Sequence, residues 1–325
     1  MAHHISFSGN RHEAAYAGNR PAWHGLGTVL SENIVHSHEM LTAAHLDWSV
    51  SKRPIFDQNG KPIPDYYAST RDDSGKVLGI VKGRYGIIQN HESFDFLDSL
   101  MQDGLMRYES AGALFGGRVV WVLGRMPSVD EVIPGDNLLR YIMFQTSHDG
   151  SLKLTACPTA VRVVCHNTVR AASNTEIKMQ LRHTTNVKER LGLVRQWLSQ
   201  YDSKFTLFRD HSRLIAGRKV EMADIKTYLT TLFPEPKEKG RGYTLWDNKL
   251  TQILTNLEVE AKEVRGYTPT LWNLLNAVTQ HVDHQSTFRA SDDLRRRENR
   301  LSGLITGLQS DLKRRAFDLA VSMAQ

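Results

Sequence analysis

Apolar and polar positions come in short runs up to about residue 175, with turn residues between them. Tyr66–Thr70 and Val77–Lys82 read as strands joined by the turn Asp72-Asp73-Ser74-Gly75. Ser49–Pro54 reads as a strand that ends at its proline, and Asn59-Gly60 signals a turn. The segment YGIIQN, Tyr85–Asn90, continues the strand pattern. Tyr108–Leu114 and Arg118–Arg125, broken by Gly116-Gly117, form a hairpin signature. The run LLRYIMFQTSHDGSLKLTACPTAVRVVCHNTVRAA, Leu138–Ala172, predicts an apolar strand, a tight His-Asp-Gly turn, a return strand and then a short helix carrying Arg162 and Arg170. Two helices interrupt the strands. One covers residues 39–48, with Met40, Ala43 and Ala44 on one side. The other is capped by Ser93 and runs through Met101, with Phe94, Leu97, Leu100 and Met101 at helical spacing.

After Ala172 the spacing changes. Val187, Leu191, Val194 and Leu198 recur at three and four residues, which predicts an amphipathic helix. Met222, Ile225 and Leu229 predict another. Leu250–Val264 and Leu271–Val282 predict two more, with Pro269 in the first turn of the latter. A last helix spans Leu301–Leu319, weakened by Gly303 and Gly307. Between the second and third lies the exposed loop FPEPKEKGRGY. Residues 1–33 read as irregular, with Gly18, Pro21, Gly25 and Gly27 around Trp23. The expected fold is α+β: an antiparallel sheet with packed helices, followed by a mainly helical C-terminal region. The expected division is an N-terminal arm (1–35), a sheet-containing core (36–175) and a helical region (176–325).

Composition narrows the class. The chain has 325 residues, a formal charge of +6 and a sequence pI near 9.2. That is an ordinary folded protein with a moderate basic excess, whose distribution matters more than its size. The two cysteines, Cys157 and Cys165, cannot make a disulfide framework and read as reduced core residues. No apolar run approaches the ~20 residues that cross a bilayer. The N-terminal MAHHISFSGNRHEA has no hydrophobic signal core. A soluble, cytoplasmic protein is expected.

Catalytic signatures are incomplete. His281, Asp283 and His284 lie close together after a helical run, but no spacing rule supplies further ligands, so packing or capping is the preferred reading over a metal site. Cys165 and His166 are adjacent, and neighbouring helix residues point about 100 degrees apart, too far for a thiol–imidazole pair. No GxxxxGK[ST] loop occurs, and the glycines of Trp23-His24-Gly25-Leu26-Gly27 have no strand before them and no helix after. No catalytic residue, metal or cofactor is assigned. What stands out is cationic. Arg162, Arg170, Lys178, Arg182, Lys188, Arg190, Arg195, Lys204, Arg209 and Arg213 lie among the aromatics Trp197, Tyr201, Phe205 and Phe208. Cations that neutralise phosphates beside rings that stack on bases suit single-stranded nucleic acid. The bland reading is that the charges solvate helix faces and the rings are core.

Four segments together carry a family resemblance: RPAWHGLG (Arg20–Gly27), YGIIQN (Tyr85–Asn90), TACPTAVRVVCHNT (Thr155–Thr168) and TPTLWNLLNAVTQHVDH (Thr268–His284). The chain resembles the phage/plasmid-like protein family, whose shared region is domain of unknown function 932, found in phages, prophages and mobile plasmids. The likeness brings no catalytic residues with it. Hairpins followed by a helix also resemble, in architecture, the single-strand-annealing proteins of phages. That resemblance implies ATP-independent DNA annealing in recombination and a homo-oligomeric ring or filament. Arg162, Arg170, Arg182, Lys188 and Arg195 would then contact the backbone, Trp197 or Tyr201 would stack on bases, and Trp23 and His24 would serve subunit contacts. Two alternatives stay open. One is a non-enzymatic factor that binds a phage or host protein, host-defence interference included. The other is a metal-dependent nucleic-acid enzyme.

Overall fold

A computed structural model describes residues 6–8, 11–18, 27–31, 34, 36–162, 168–169, 179–181, 187–265, 268–286 and 308–325. Two compact units divide the chain: residues 1–127, 141–158 and 176–199, and residues 128–140, 159–175 and 200–325. Strands dominate the first half of the chain and helices the second, the α+β arrangement expected.

The first unit is built on a sheet in the order β11–β10–β9–β8–β3–β4. Its strands are β3 (Ala14–Ala17), β4 (Thr28–Leu30), β8 (Arg107–Leu114), β9 (Val119–Ile133), β10 (Asp136–Ser147) and β11 (Leu154–Arg162). Two short strands, β1 (Phe7–Ser8) and β2 (Arg11–His12), pair with each other beforehand. β8 and β9 form the expected hairpin, and Phe115, Gly116 and Gly117 all turn it at positive φ. Glycine is the residue that meets this demand without strain. β3 corrects the reading of residues 1–33. It lies inside the sheet, antiparallel to β8 and parallel to β4, with Ala14, Ala15 and Tyr16 buried. A strand covered on both faces shows no alternation, and alanine is a poor strand former, so the sequence pattern conceals it.

The strand–turn–strand reading of the segment from Leu138 holds, but not its helix. β11 runs through Arg162, and β12 (Thr168–Val169) pairs back on it, Ala160 opposite Val169 and Val161 opposite Thr168. Branched residues, Thr155, Thr159 and Val161, favour extended backbone in β11 over helix. β13 (Met179–Leu181) pairs with β11 as well.

Against this sheet's unit stand α1 (Ser37–Ala43), α2 (Asn90–Phe94) and α3 (Leu97–Gln102). Phe94, Leu97, Leu100 and Met101 are buried as their spacing predicted. The cap is Gln89, not Ser93. Gln89 donates its N–H to Glu92 at 2.8 Å, whereas Ser93 Oγ donates back to the Gln89 carbonyl. Tyr85–Asn90 forms no strand. Instead the Gln89 amide pairs with both backbone groups of Val50, at 2.9 and 3.0 Å, taking the place a strand backbone would have.

β5 (Val50–Phe56), β6 (Pro62–Arg71) and β7 (Val77–Lys82) make a separate three-stranded antiparallel sheet in the same unit. β5 runs past Pro54, with a register shift between Pro54 and Phe56. One face is set against the body. Val50, Ser69, Arg71 and Val81 are buried there, and Gly79 comes so close to the 148–150 turn that a Cβ would lie 2.5 Å from Asp149 Cβ.

In the second unit the helices are α4 (Val187–Gly217, from Gln200 on), α5 (Met222–Leu232), α6 (Arg241–Arg265), α7 (Leu271–Gln280) with a π-helical turn at His281–Gln285, and α8 (Leu308–Ala324). The helices predicted from Val187, Met222, Leu250 and Leu271 all recur, and the last is found over Leu308–Ala324, its predicted start at 301–307 lying outside the described residues. Thr270 caps α7 in a capping box with Asn273, so Pro269 precedes the cap and is not in the first turn. Tyr201, Phe205, Phe208, Tyr228, Ile253, Trp272 and Phe317 fill the core, and the Phe208 and Phe317 rings stack at 4.9 Å. Trp272 Nε1 donates to Asp136 at 2.7 Å. No helix among the described residues is long and apolar enough to cross a membrane.

Candidate nucleic-acid interface

The basic residues singled out by sequence do not come together as one described surface. Trp23, His24, Arg170, Lys178 and Arg182 lie outside the described residues. So do Cys165 and His166. Arg162 ends β11 and Lys188 lies in the first turn of α4, and the side chains of both are outside the description, as are those of Arg190 and Lys204. Arg195 is exposed and ion-paired with Asp103. Arg209 sits between Asp130 and Asp210, at 3.6 and 3.0 Å, and Arg213 donates to the Glu131 carbonyl at 2.8 Å.

The two proposed stacking rings are interior. Trp197 is 9% exposed and Tyr201 2%. Tyr201 packs edge to face on Phe205 at 5.8 Å, and burial pushes its phenol pKa far up. Neither presents a face to a base. The signal was in the spacing: Val194, Leu198, Tyr201, Phe205, Phe208, Ser212 and Ile215 alternate four and three residues apart, and all are buried. An aromatic on that seam belongs to the core.

A surface of the required chemistry occurs elsewhere, on the open face of the β5–β6–β7 sheet. Paired residues across an antiparallel ladder share a face. The register therefore places Arg53, Ala68 and Ile80 in one row, Tyr66 and Lys82 in the next, and Ser51, Thr70 and Val77 on the other side. Ala68 and Thr70 on the central strand are buried, so the exposed part of this face is made by the larger side chains around them. Around them Tyr66 is 42%, Ile80 52% and Val77 54% exposed. Lys82 and, just beyond it, Arg84 are exposed and make no ion pair among the described residues. Arg53 is 3.6 Å from Asp72, whose carboxyl is held below the usual range by the hydroxyls of Ser51 and Ser49 at 2.6 and 2.9 Å. An exposed pair of this kind contributes little, so Arg53 can exchange Asp72 for a phosphate.

A buried charged cluster lies on the sheet's other face. Arg71, on β6, is buried and saturated. It grips Asp73 with Nε and Nη2 at 3.0 and 2.6 Å, reaches Glu13 with Nη1 at 2.6 Å, and lies over the Trp48 ring at 4.1 Å. Burial acts to lower the Arg71 pKa, but Asp73 and Glu13 outweigh it and the net direction is upward. Burial pushes the Glu13 carboxyl up, against the pull of Arg71. Trp48 meets His148 edge to face at 5.3 Å, and His148 Nε2 is 2.8 Å from Asn90 Oδ1. The cluster is closed and structural.

In the second unit, His281 Nδ1 lies 3.3 Å from Gln285, and Asp283 forms a buried ion pair with Lys313 at 2.7 Å. Packing accounts for both residues. No group of three or more possible metal ligands occurs among the described residues.

The family described as Domain of unknown function (DUF932) matches residues 77–303. The chain belongs to this family. The DUF932 region opens at the first residue of β7, so Ile80 and Lys82 fall within it and Arg53 and Tyr66 precede it. No curated protein and no solved structure matches the chain.

Proposed function

We propose that the protein binds single-stranded nucleic acid on the open face of the β5–β6–β7 sheet. The observation that carries this reading is the row Tyr66–Lys82 beside the row Arg53–Ala68–Ile80, an exposed ring flanked by two cations on one sheet face. Tyr66 offers a π-face to a base, Ile80 and Val77 offer apolar contact, and Arg53 and Lys82 meet phosphates on either side. Such a surface tolerates any base sequence, because every base has a face to stack. It also suits annealing without ATP, since neutralised phosphates let a second strand approach. Recombination on phage or plasmid DNA is the setting that the resemblance in the sequence supports, with a ring or filament of copies along the strand.

The test is fluorescence anisotropy with a labelled oligothymidylate. Stacking on one aromatic is worth roughly 1–3 kcal/mol, so Tyr66→Ala should weaken binding about five- to 150-fold while Tyr66→Phe keeps it. Unchanged affinity in Tyr66→Ala and in Arg53→Glu/Lys82→Glu overturns the assignment. Capture of a protein by the Ile80 and Val77 face, without nucleic-acid binding, would favour a protein-interaction factor instead.

A further inference from the structure

We infer that the second unit carries its own single-strand contact at the start of α6, so that one chain holds two separate stretches of nucleic acid. The inference rests on the binding reading above and extends it to a second surface. Lys237, Lys239 and Arg241 are exposed and make no ion pair among the described residues. Within Lys237–Arg241 only Glu238 opposes them, while Glu235 and Asp247 flank the segment.

Two half-exposed rings follow at once. Tyr243 and Trp246 lie 5.4 Å apart, centroid to centroid, at 44°, and Lys239 Nζ is 6.0 Å from the Tyr243 ring. Trp246 is held in place: its Nε1 donates to the Phe233 carbonyl at 2.8 Å, and Lys249 Nζ lies 4.9 Å over the Phe233 ring. A ring whose polar edge is bonded inward cannot turn freely, so little side-chain order is lost when a base stacks on its exposed part. Gly240 and Gly242 keep the approach clear, since a Cβ at either meets nothing within 4 Å. The three cations alone would suit any polyanion; the ring pair beside them favours one whose own rings can stack. Single-stranded nucleic acid uses both, by phosphate neutralisation and stacking. A second contact on the same chain would also let it hold a second strand beside the one bound on the sheet.

Native mass spectrometry with a short oligothymidylate, too short to occupy both surfaces, tests this. The unaltered chain should bind two oligonucleotides. Lys237→Glu/Lys239→Glu/Arg241→Glu should bind one, and so should Arg53→Glu/Lys82→Glu. All five positions are exposed or at the surface, so the fold should survive, which circular dichroism checks. Two bound copies in the α6 variant overturn the second contact. One bound copy in the unaltered chain, abolished by the sheet variant and untouched by the α6 variant, overturns it too but leaves the sheet reading standing. One bound copy that only the α6 variant removes overturns the sheet reading and the pairing of two contacts together. No binding by the unaltered chain overturns both.

Discussion

At the scale of single residues, buried charge decides most. Glu13 is fully buried and faces Arg71 at 2.6 Å. Removing one partner of such a pair costs about 3–5 kcal/mol, because it strands the other charge in a poorly solvated place. Arg71→Leu should therefore lower the urea midpoint of the protein sharply, and Glu13→Leu/Arg71→Leu should recover much of the loss. A double variant no better than the single would mean that Arg71 acts through Asp73 and Trp48 and not through Glu13. His281 supplies a pH dependence. Burial lowers its pKa below the ordinary 6.5, with Lys249 adding to the fall and Gln285 opposing it. The sign follows from proton uptake. Above pH 6.5 neither the folded nor the unfolded chain holds this proton. Below it the unfolded chain takes the proton first, so this residue's contribution is lost as pH falls through the lowered folded value. His281→Gln should flatten that part of the decline between pH 7.5 and 5, read from denaturation midpoints. An identical slope in both proteins would remove His281 from the account.

At the scale of elements, what the sequence made legible was what short-range chemistry marks. Gly116-Gly117 announced the β8–β9 hairpin because only glycine takes successive positive φ cheaply. The apolar spacing from Phe94 to Met101 announced helix there, but the single helix expected is broken at Asp95-Phe96 into α2 and α3. What it hid was set at long range. β3 is a strand because β8 and β4 flank it, not because Ala14-Ala15-Tyr16-Ala17 favours one. Gln89 leaves the strand pattern because its amide answers Val50, 39 residues away. The open sheet face was half legible: alternation marks one side of β6, but Tyr66 and Tyr67 are adjacent, and only the register says which faces out. The docking of that sheet has its own test. A side chain at Gly79 would meet Asp149, which is backbone-anchored in its turn and cannot retreat far. Gly79→Val should cost about 1–3 kcal/mol by overpacking and should raise hydrogen exchange in β5, β6 and β7 before the larger sheet. Uniform exchange through the unit would mean that the small sheet does not open by itself.

At the scale of the whole molecule, a charge of +6 says little until the paired cations are set aside. Arg71, Arg140, Arg195, Arg209 and Lys313 all have carboxylate partners in the structure. Among the exposed cations that have no carboxylate partner among the described residues, Lys82, Arg84, Lys237, Lys239 and Arg241 stand next to rings or apolar sheet positions. If those cations meet phosphates, binding must weaken with salt, because each contact releases condensed counterions. For single strands the slope of log affinity against log salt is about 0.7 per phosphate neutralised. Arg53→Gln/Lys82→Gln should therefore reduce the steepness by about 1.4, if each contacts one phosphate. Tyr66→Ala should lower affinity at every salt concentration and leave the slope unchanged, because a stacked ring releases no ions. The two variants thus separate charge from stacking on one surface. A charge variant that loses affinity with its slope intact would show the loss to come from a disturbed sheet, and Arg53 and Lys82 would then have no claim as phosphate contacts.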